Sequence, residues 1–136
     1  GPEFAIIGVR DSSVLGNVNL NPEVRSRLLD AGVPVGSVFV FCESAGDEAS
    51  PDYVARMFFD AGGLREDPAT GSANSAFAIY LRDHCGNDRS RYLGRYVVAQ
   101  GDYMHRPSRI YLDIRADSYH VGGRVVSVVR GELAAG

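Results

Sequence analysis

The stretch REDPATGSANSAFAIYL, residues 65 to 81, places several polar side chains directly before a nearly apolar run. The apolar run from Ala73 to Leu81 predicts a helix, interrupted only by Asn74 and Ser75. One capping residue is enough for an ordinary loop-to-helix junction. This junction has four polar side chains, those of Glu66, Asp67, Thr70 and Ser72.

The start of such a helix can bind an anion. Its first amide N–H groups have no partners within the helix, and the helix dipole adds to their positive charge. We predict that the helix begins near Gly71, where the missing side chain lets a ligand approach the backbone. Thr70 or Ser72 could cap one or two of these amides, and a substrate carboxylate could satisfy the rest.

Asp67 precedes Pro68, which favours an extended conformation for the aspartate and keeps it out of the helix. Its carboxylate could therefore face the same cavity as the helix start. There it could accept a proton, donate one, or hold a cationic amine. Capping of a core helix by Asp67, Thr70 and Ser72 would explain the same residue types without a site.

Composition narrows the class of protein. The first four residues, Gly-Pro-Glu-Phe, are typical of a protease and cloning remnant, so we predict one domain over residues 5–136. A net charge of -3 and the lack of a long apolar segment predict neither a nucleic-acid nor a membrane partner. Cys42 and Cys85 suit a reducing cytoplasm, although one disulfide between them stays open.

The other elements are predicted from local patterns. Asn21 and Pro22 begin a helix that Gly32 ends. Residues 11–17 and 60–70 are predicted to be loops, and SVFVFCE predicts a strand buried on both faces. Further strands are predicted at residues 5–9, 53–59, 95–101, 108–116 and 123–133.

A helix that is apolar nearly all round is a buried helix. Because most other elements are strands, we predict an α+β fold, a curved antiparallel sheet or open barrel wrapped around this central helix. His84, Cys85, His105 and His120 lack the spacing of metal ligands, so no metal site is predicted.

The motif EDPATGSA followed by an apolar helix resembles that of PhzF-like isomerases, the phenazine-biosynthesis group of the diaminopimelate-epimerase superfamily. The segments QGDYMHRPSRI and VGGRVVSVVRGEL resemble later parts of the same family. The resemblance implies one half of a two-half fold, in which the site lies where two helix N-termini meet. It also implies proton transfer on a small carboxylate-bearing substrate without a cofactor.

Residue by residue, the resemblance makes Asp67 the active-site aspartate and Ser72 the serine at the helix start. Thr70, Gly71, Ser72 and Ala73 would bind substrate, and Gln100 and Arg106 would lie near the pocket. His105 stands where the family usually has glycine, and we expect it to face solvent. In diaminopimelate epimerase and proline racemase the junction carries a catalytic cysteine, which this chain lacks there.

PhzF-like enzymes are about twice as long, and their principal acid/base glutamate belongs to an N-terminal half that cannot be placed here. The chain is therefore expected to be a C-terminal half, inactive alone, whose partner is the missing half or a second copy in a homodimer. The alternative is a non-catalytic small-molecule-binding or assembly domain that keeps the fold.

Overall fold

The computed structural model describes residues 2–33, 35–46, 48–85, 89–132 and 134. The helices are α1 (Ser12–Gly16), α2 (Pro22–Asp30) and α3 (Gly71–His84), and there are short 3₁₀ turns at Arg89–Tyr92 and Asp102–Met104. The strands are β1 (Ala5–Gly8), β2 (Ser37–Glu43), β3 (Tyr53–Asp60), β4 (Leu64–Asp67), β5 (Gly94–Gln100), β6 (Ser108–Ile114) and β7 (Tyr119–Gly123).

One mixed sheet contains all seven strands, in the order β1-β2-β3-β5-β6-β7, with β4 also paired to β3. The predicted α+β class and the open sheet around a helix are confirmed. The expectation of a wholly antiparallel sheet is wrong, because the β1–β2 and β3–β5 pairs are parallel. Parallel neighbours need a crossover connection, and between β3 and β5 that crossover carries β4 and α3.

Helix α3 packs against one face of the sheet through Phe77, which is fully buried. Its ring centroid lies 4.5 Å from that of Phe41 and 5.2 Å from those of Phe39 and Tyr53. Burial raises the pKa of Tyr53 well above its ordinary value, so this phenol stays neutral in the core. The buried face of α3 consists of Ala73, Asn74, Phe77, Ala78 and Leu81.

The opposite face of the sheet has its own smaller core. Leu15 of α1 is fully buried there with Val38, Val40, Cys42 and Phe58. Strand β2 is therefore covered on both faces, which confirms the prediction from its continuous apolar sequence. Cys42 and Cys85 are both free thiols. None of the described helices has the length and apolarity that crossing a membrane requires.

Three predictions about loops and strands are wrong. Residues 12–16, predicted as loop, form α1, and residues 64–67, also predicted as loop, form β4. The strand predicted at residues 123–133 does not form, since β7 ends at Gly123 and residues 124–132 have no regular structure and are exposed. Leu133 lies outside the described residues.

Tertiary contacts explain why α1 forms. Asp11 caps it by accepting from the amide of Val14 at 2.9 Å. At its other end, Nη1 of Arg56 lies 3.1–3.2 Å from the carbonyl oxygens of Leu15, Gly16 and Val18 and donates to them. A single helical turn is marginal by itself. The hydrogen bonds from Arg56 of β3 therefore stabilise a helix that the local sequence does not predict.

Candidate functional site

Strand β4 delivers Asp67 to the start of α3. Asp67 is the last residue of β4 and pairs with Met57 of β3. Its extended conformation before Pro68 is as predicted. Successive side chains of a strand point to opposite faces. The side chains of Glu66 and Asp67 therefore lie on opposite faces of the sheet, and only that of Asp67 lies on the side of α3.

Glu66 serves a different purpose from Asp67. Arg56 donates to both of its carboxylate oxygens, at 3.0 and 2.8 Å, and both side chains are largely buried. The guanidinium of Arg56 also stacks on the rings of Phe58 and Tyr103. This bidentate pair fixes β4 to β3 immediately before Asp67.

The carboxylate of Asp67 is held on one side only. Thr70 Oγ1 donates to Oδ2 of Asp67 at 2.6 Å. Oδ1 has no hydrogen-bond partner within the described part of the chain, and Asp67 is half-buried. One carboxylate oxygen is therefore oriented by the protein while the other is free to accept or deliver a proton.

Gln100 ties this arrangement together from β5. Its Nε2 donates to the carbonyl oxygen of Asp67 at 2.7 Å and lies 3.0 Å from Thr70 Oγ1. Its Oε1 accepts from Asn74 Nδ2 at 3.0 Å. Gln100 and Asn74 are both fully buried, and Asn74 Nδ2 also donates to the carbonyl oxygen of Thr70 at 2.9 Å. The Asp67–Thr70 turn is thus bonded to two buried amides.

The helix start has no side-chain cap. Thr70 is the N-cap residue, but its hydroxyl donates to Asp67 and makes no capping bond. The first helical bond joins the amide of Asn74 to the carbonyl of Thr70. Among the residues described, nothing accepts from the amides of Gly71, Ser72 and Ala73. The capping alternative therefore does not explain Thr70.

The helix start is also more open than predicted. Gly71 and Ser72 are exposed, whereas the sequence suggested a buried start. Ala73 is fully buried, its backbone included, so Gly71 and Ser72 are the residues of the helix start that a ligand can reach. The buried stretch of α3 begins at Ala73, and Gly71 and Ser72 face an open surface.

A tight turn at Gly101 brings Arg106 beside the junction. Gly101 has φ 83° and is buried, and a side chain there would overlap the carbonyl oxygen of Arg106 and lie 2.8 Å from that of Pro68. The Arg106 side chain is exposed, and within the described ranges no carboxylate or other acceptor pairs with it. The backbone of Arg106 therefore lies beside that of Pro68, and its side chain is exposed.

His105 lies in the same turn, exposed and with φ 57°. Its solvent-facing position is as expected. This left-handed backbone conformation is one that glycine adopts without strain, so a glycine would fit this position better than histidine. The neighbouring Tyr103 has a raised pKa, mainly because its ring is partly buried, and its hydroxyl donates to the carbonyl of Ser12 at 3.0 Å.

The structure brings together the predicted residues Asp67, Thr70, Gly71, Ser72 and Gln100, and it places Arg106 across the turn from Pro68. Sequence reasoning missed Asn74, although a polar residue inside an apolar helix was a visible signal. Within the described residues, Asn74 Oδ1 is buried without a hydrogen-bond partner. The described side chains contain no cluster of three or more histidine, cysteine or carboxylate groups that could hold a metal ion.

Taken together, these features define an α+β domain that presents one aspartate beside an uncapped helix start. A sequence model of the family described as Phenazine biosynthesis-like protein matches residues 1–131. The chain belongs to that family.

Named relatives agree with the family. An uncharacterized isomerase of Clostridium acetobutylicum is 27% identical over 138 residues, which cover 98% of this chain and 45% of the relative. One of Mesorhizobium japonicum is 29% identical over 140 residues, with the same coverage of 98% and 45%. A human phenazine biosynthesis-like domain-containing protein is 26% identical, over 93% of this chain and 42% of its own length. The chain thus spans less than half the length of these relatives.

Solved structures show the same fold. A phenazine biosynthesis protein of the PhzF family from Bacillus anthracis matches with a TM-score of 0.57 and 24% identity, over 85% of this chain and 40% of that one. A putative PhzC/PhzF protein from Clostridium difficile matches with a TM-score of 0.56 and 17% identity, over 93% and 44%.

Proposed function

We propose that this chain is the C-terminal half of a PhzF-like isomerase that transfers a proton on a small carboxylate-bearing substrate by general acid/base catalysis. The observation that carries the proposal is the position of Asp67. Among the described residues, one of its oxygens is held by Thr70, the other has no partner, and unpartnered helix amides begin four residues further on. The junction can thus bind the carboxylate of a substrate and exchange a proton with that same substrate.

Each residue of the junction has a role in the proposed reaction. The exposed residues Gly71 and Ser72 bind the substrate carboxylate through their amides, and Arg106 adds a positive charge. Asp67 accepts or returns the proton, and the Ser72 hydroxyl helps to position the substrate. Thr70 and Gln100 do not transfer protons: Thr70 orients the carboxylate of Asp67, and Gln100 fixes its backbone carbonyl. The proposed chemistry uses side chains and backbone alone.

The opposite wall of the site would come from an N-terminal half. Abstracting a proton and returning it needs groups on both sides of the substrate, within hydrogen-bond reach. This chain offers Asp67 and the helix start on one exposed wall. Relatives that are named isomerases are more than twice as long as the part that matches it. We therefore expect the 136-residue chain to have no isomerase activity alone.

Proton exchange tests this expectation directly. The purified chain is incubated in deuterated solvent with a panel of small amino and hydroxy acids, and loss of the substrate C–H signals is followed by NMR. No protein-dependent exchange is expected. Exchange that Asp67→Asn abolishes would show that this half makes a complete site from its own residues.

The role of Asp67 is tested in a protein reconstituted with an N-terminal half. Asp67→Asn should lower turnover by about a hundredfold to ten-thousandfold, because it removes a proton acceptor and barely changes the shape. Asp117→Asn makes the same chemical change at an exposed turn and should leave turnover unaltered. Wild-type turnover in Asp67→Asn would exclude Asp67 as the acid/base group.

The second candidate is a non-catalytic domain that binds small carboxylates or assembles with other chains. The observation in its favour is that the described chain places a single acid/base side chain, Asp67, at the helix start. Under this alternative the reconstituted protein would bind small carboxylates, seen as amide chemical-shift changes at residues 71–73, without exchanging their protons.

A further inference from the structure

Asn74 is a polar side chain on the buried face of α3, and its amide serves there as a donor. Asn74 and Gln100 are both fully inaccessible. Nδ2 of Asn74 donates to the carbonyl oxygen of Thr70 at 2.9 Å and to Oε1 of Gln100 at 3.0 Å. Within the described residues its Oδ1 has no hydrogen-bond partner. Because this chain itself buries both amides, the bond between them does not depend on whether any surface of the chain is covered.

The two acceptors decide the orientation of the Asn74 amide. The carbonyl oxygen of Thr70 can only accept a hydrogen bond. Turning the amide over would bring Oδ1 of Asn74 against that oxygen and against Oε1 of Gln100, and it would take Nδ2 away from both acceptors. Buried N–H groups without a partner are rarer than under-satisfied carbonyl oxygens. The orientation that leaves Oδ1 unpartnered is therefore the less costly one.

Gln100 passes the direction of the Asn74 bond on to Thr70. Because Oε1 of Gln100 accepts from Asn74, its Nε2 is turned toward Thr70, where it lies 3.0 Å from Oγ1, and it donates to the carbonyl oxygen of Asp67 at 2.7 Å. A threonine hydroxyl has one hydrogen to donate. With Gln100 donating to Oγ1, that hydrogen is directed to Oδ2 of Asp67, at 2.6 Å. Consecutive hydrogen bonds of this kind polarise one another.

We propose that Asn74 is a positioning residue for Asp67, which sets, through Gln100, the direction of the hydrogen bond that Thr70 donates. Oδ2 of Asp67 is then held as an acceptor, and Oδ1 takes the proton from the substrate and returns it. The assignment of Oδ1 rests on the proposed function, whereas the direction of the three hydrogen bonds does not. Asn74 acts through its bonds to Gln100 and Thr70 and makes no contact with the substrate.

Neutron diffraction from crystals of the perdeuterated wild-type chain locates each hydrogen directly. We expect the Thr70 hydroxyl deuterium to point at Oδ2 of Asp67, and the two deuterium atoms on Asn74 Nδ2 to point at Thr70 and Gln100. An Asn74 or Gln100 amide in the reverse orientation, or a Thr70 hydroxyl turned away from Asp67, would overturn the proposal. The measurement uses the wild-type chain, so its result does not depend on the folding of a variant.

A substitution tests whether Asn74 causes this direction. Asn74→Leu keeps a branched side chain and removes both donors. Exchange of the Thr70 hydroxyl hydrogen with water, followed by NMR, should speed up by about tenfold, the effect of weakening one buried hydrogen bond. Ser75→Ala is the matched control, because Ser75 Oγ likewise donates to the carbonyl oxygen four residues earlier, that of Gly71, at 3.0 Å. Equal exchange rates in wild type and Asn74→Leu would overturn the proposal.

Turnover in the reconstituted two-half protein separates positioning from a general loss of structure. Asn74→Leu should lower kcat by about tenfold with KM little changed, and by less than about twofold in a Thr70→Val background, because both substitutions act on one hydrogen bond. Ser75→Ala should leave kcat unaltered. A tenfold loss in both backgrounds would show that Asn74 acts on the structure alone and would overturn the proposal. Wild-type turnover in Asp67→Asn would instead overturn the proposed function, and the diffraction and exchange results would still decide the role of Asn74.

Discussion

The side-chain amide of Gln100 donates to the backbone carbonyl oxygen of Asp67 at 2.7 Å, which joins the end of β5 to the end of β4. The bond is buried on the glutamine side, since Gln100 is fully inaccessible. The proposed acid/base residue is therefore fixed through its backbone by a residue 33 positions away. The position of Asp67 depends on the central sheet as well as on its own loop.

Gln100→Leu should destabilise the fold by about 3 kcal/mol. Leucine fits the volume but removes the donor to the Asp67 carbonyl oxygen and the acceptor of the Thr70 amide and of one Asn74 Nδ2 bond, and buried unsatisfied groups cost about 1–3 kcal/mol each. Urea denaturation measures the loss. Asn19→Leu, the same kind of change at an exposed position, should stay within about 0.5 kcal/mol. Equal effects of the two would show that the Gln100 bonds contribute nothing special.

Gly101→Ala should cost about 3 kcal/mol in free energy of unfolding. The left-handed φ of 83° accounts for about 1 kcal/mol, and the clash of the new methyl group with the backbone of Arg106 and Pro68 accounts for the rest. Gly62→Ala is the matched control, since Gly62 has φ 73° but nothing within 4 Å of the added carbon. Gly62→Ala should lose only the conformational part, and denaturation of both variants separates the two contributions.

His105→Gly should stabilise the protein by about 0.5–1 kcal/mol. The substitution relieves a left-handed conformation, which costs about 1–2 kcal/mol for a residue with a side chain, and loses part of this gain to the freer unfolded chain. Thermal unfolding checks the sign. Ala116→Gly, in an exposed turn and without a positive φ, should destabilise instead. Destabilisation by both would show that the His105 backbone is not strained.

Several parts of the fold could be predicted because their signals are local. Asn21 and Pro22 mark the start of α2, and the alternation of Ile110, Leu112 and Ile114 marks the buried face of β6. Strand β4 could not be read from its sequence, since its charged residues suit a loop equally well. It forms because Arg56 of β3 pairs with Glu66, a contact that depends on the assembled sheet.

The features of the site likewise divide into those that the sequence indicated and those that depend on tertiary contacts. The residue types of Asp67 and Thr70 pointed to the junction, and the family resemblance added Gln100 and Arg106. The direction of the Thr70 hydroxyl, toward Asp67 and away from the helix amides, follows from the bond between Thr70 and Gln100. Residues 124–132 show the opposite case: their sequence predicts a strand, yet they have no regular structure in the described chain.

The surface carboxylate of Asp60 should make the free energy of unfolding decrease measurably at acidic pH. Asp60 accepts from the amide of Gly63 at 3.0 Å and from Arg25 at 2.9 Å, and the Gly63 bond, followed by the arginine, lowers the pKa of Asp60 below its ordinary value. A lowered folded-state pKa stabilises the protein above the unfolded value near about 3.9, and this is lost as pH falls through the folded pKa.

Asp60→Asn should therefore be less stable than wild type at neutral pH, and the difference should shrink as the pH falls below about 4. Urea denaturation between neutral and acidic pH measures it. Arg25→Gln, tested in wild-type and Asp60→Asn backgrounds, separates the ion pair from the Gly63 bond. A difference between wild type and Asp60→Asn that stays constant down to the lowest pH would contradict the pairing of this carboxylate in the folded state.

Thr70→Val should lower turnover in the reconstituted two-half protein by about tenfold while leaving the fold intact. Valine keeps the shape of threonine but loses the donor that holds Oδ2 of Asp67 at 2.6 Å, so the carboxylate samples more orientations. Thr70→Ser retains the hydroxyl and should keep most of the activity. Because Thr70 is a positioning residue, the loss should fall on kcat more than on KM for the substrate. An equal loss in Thr70→Val and Thr70→Ser would show that the methyl group of Thr70, and not its hydroxyl, matters to the site.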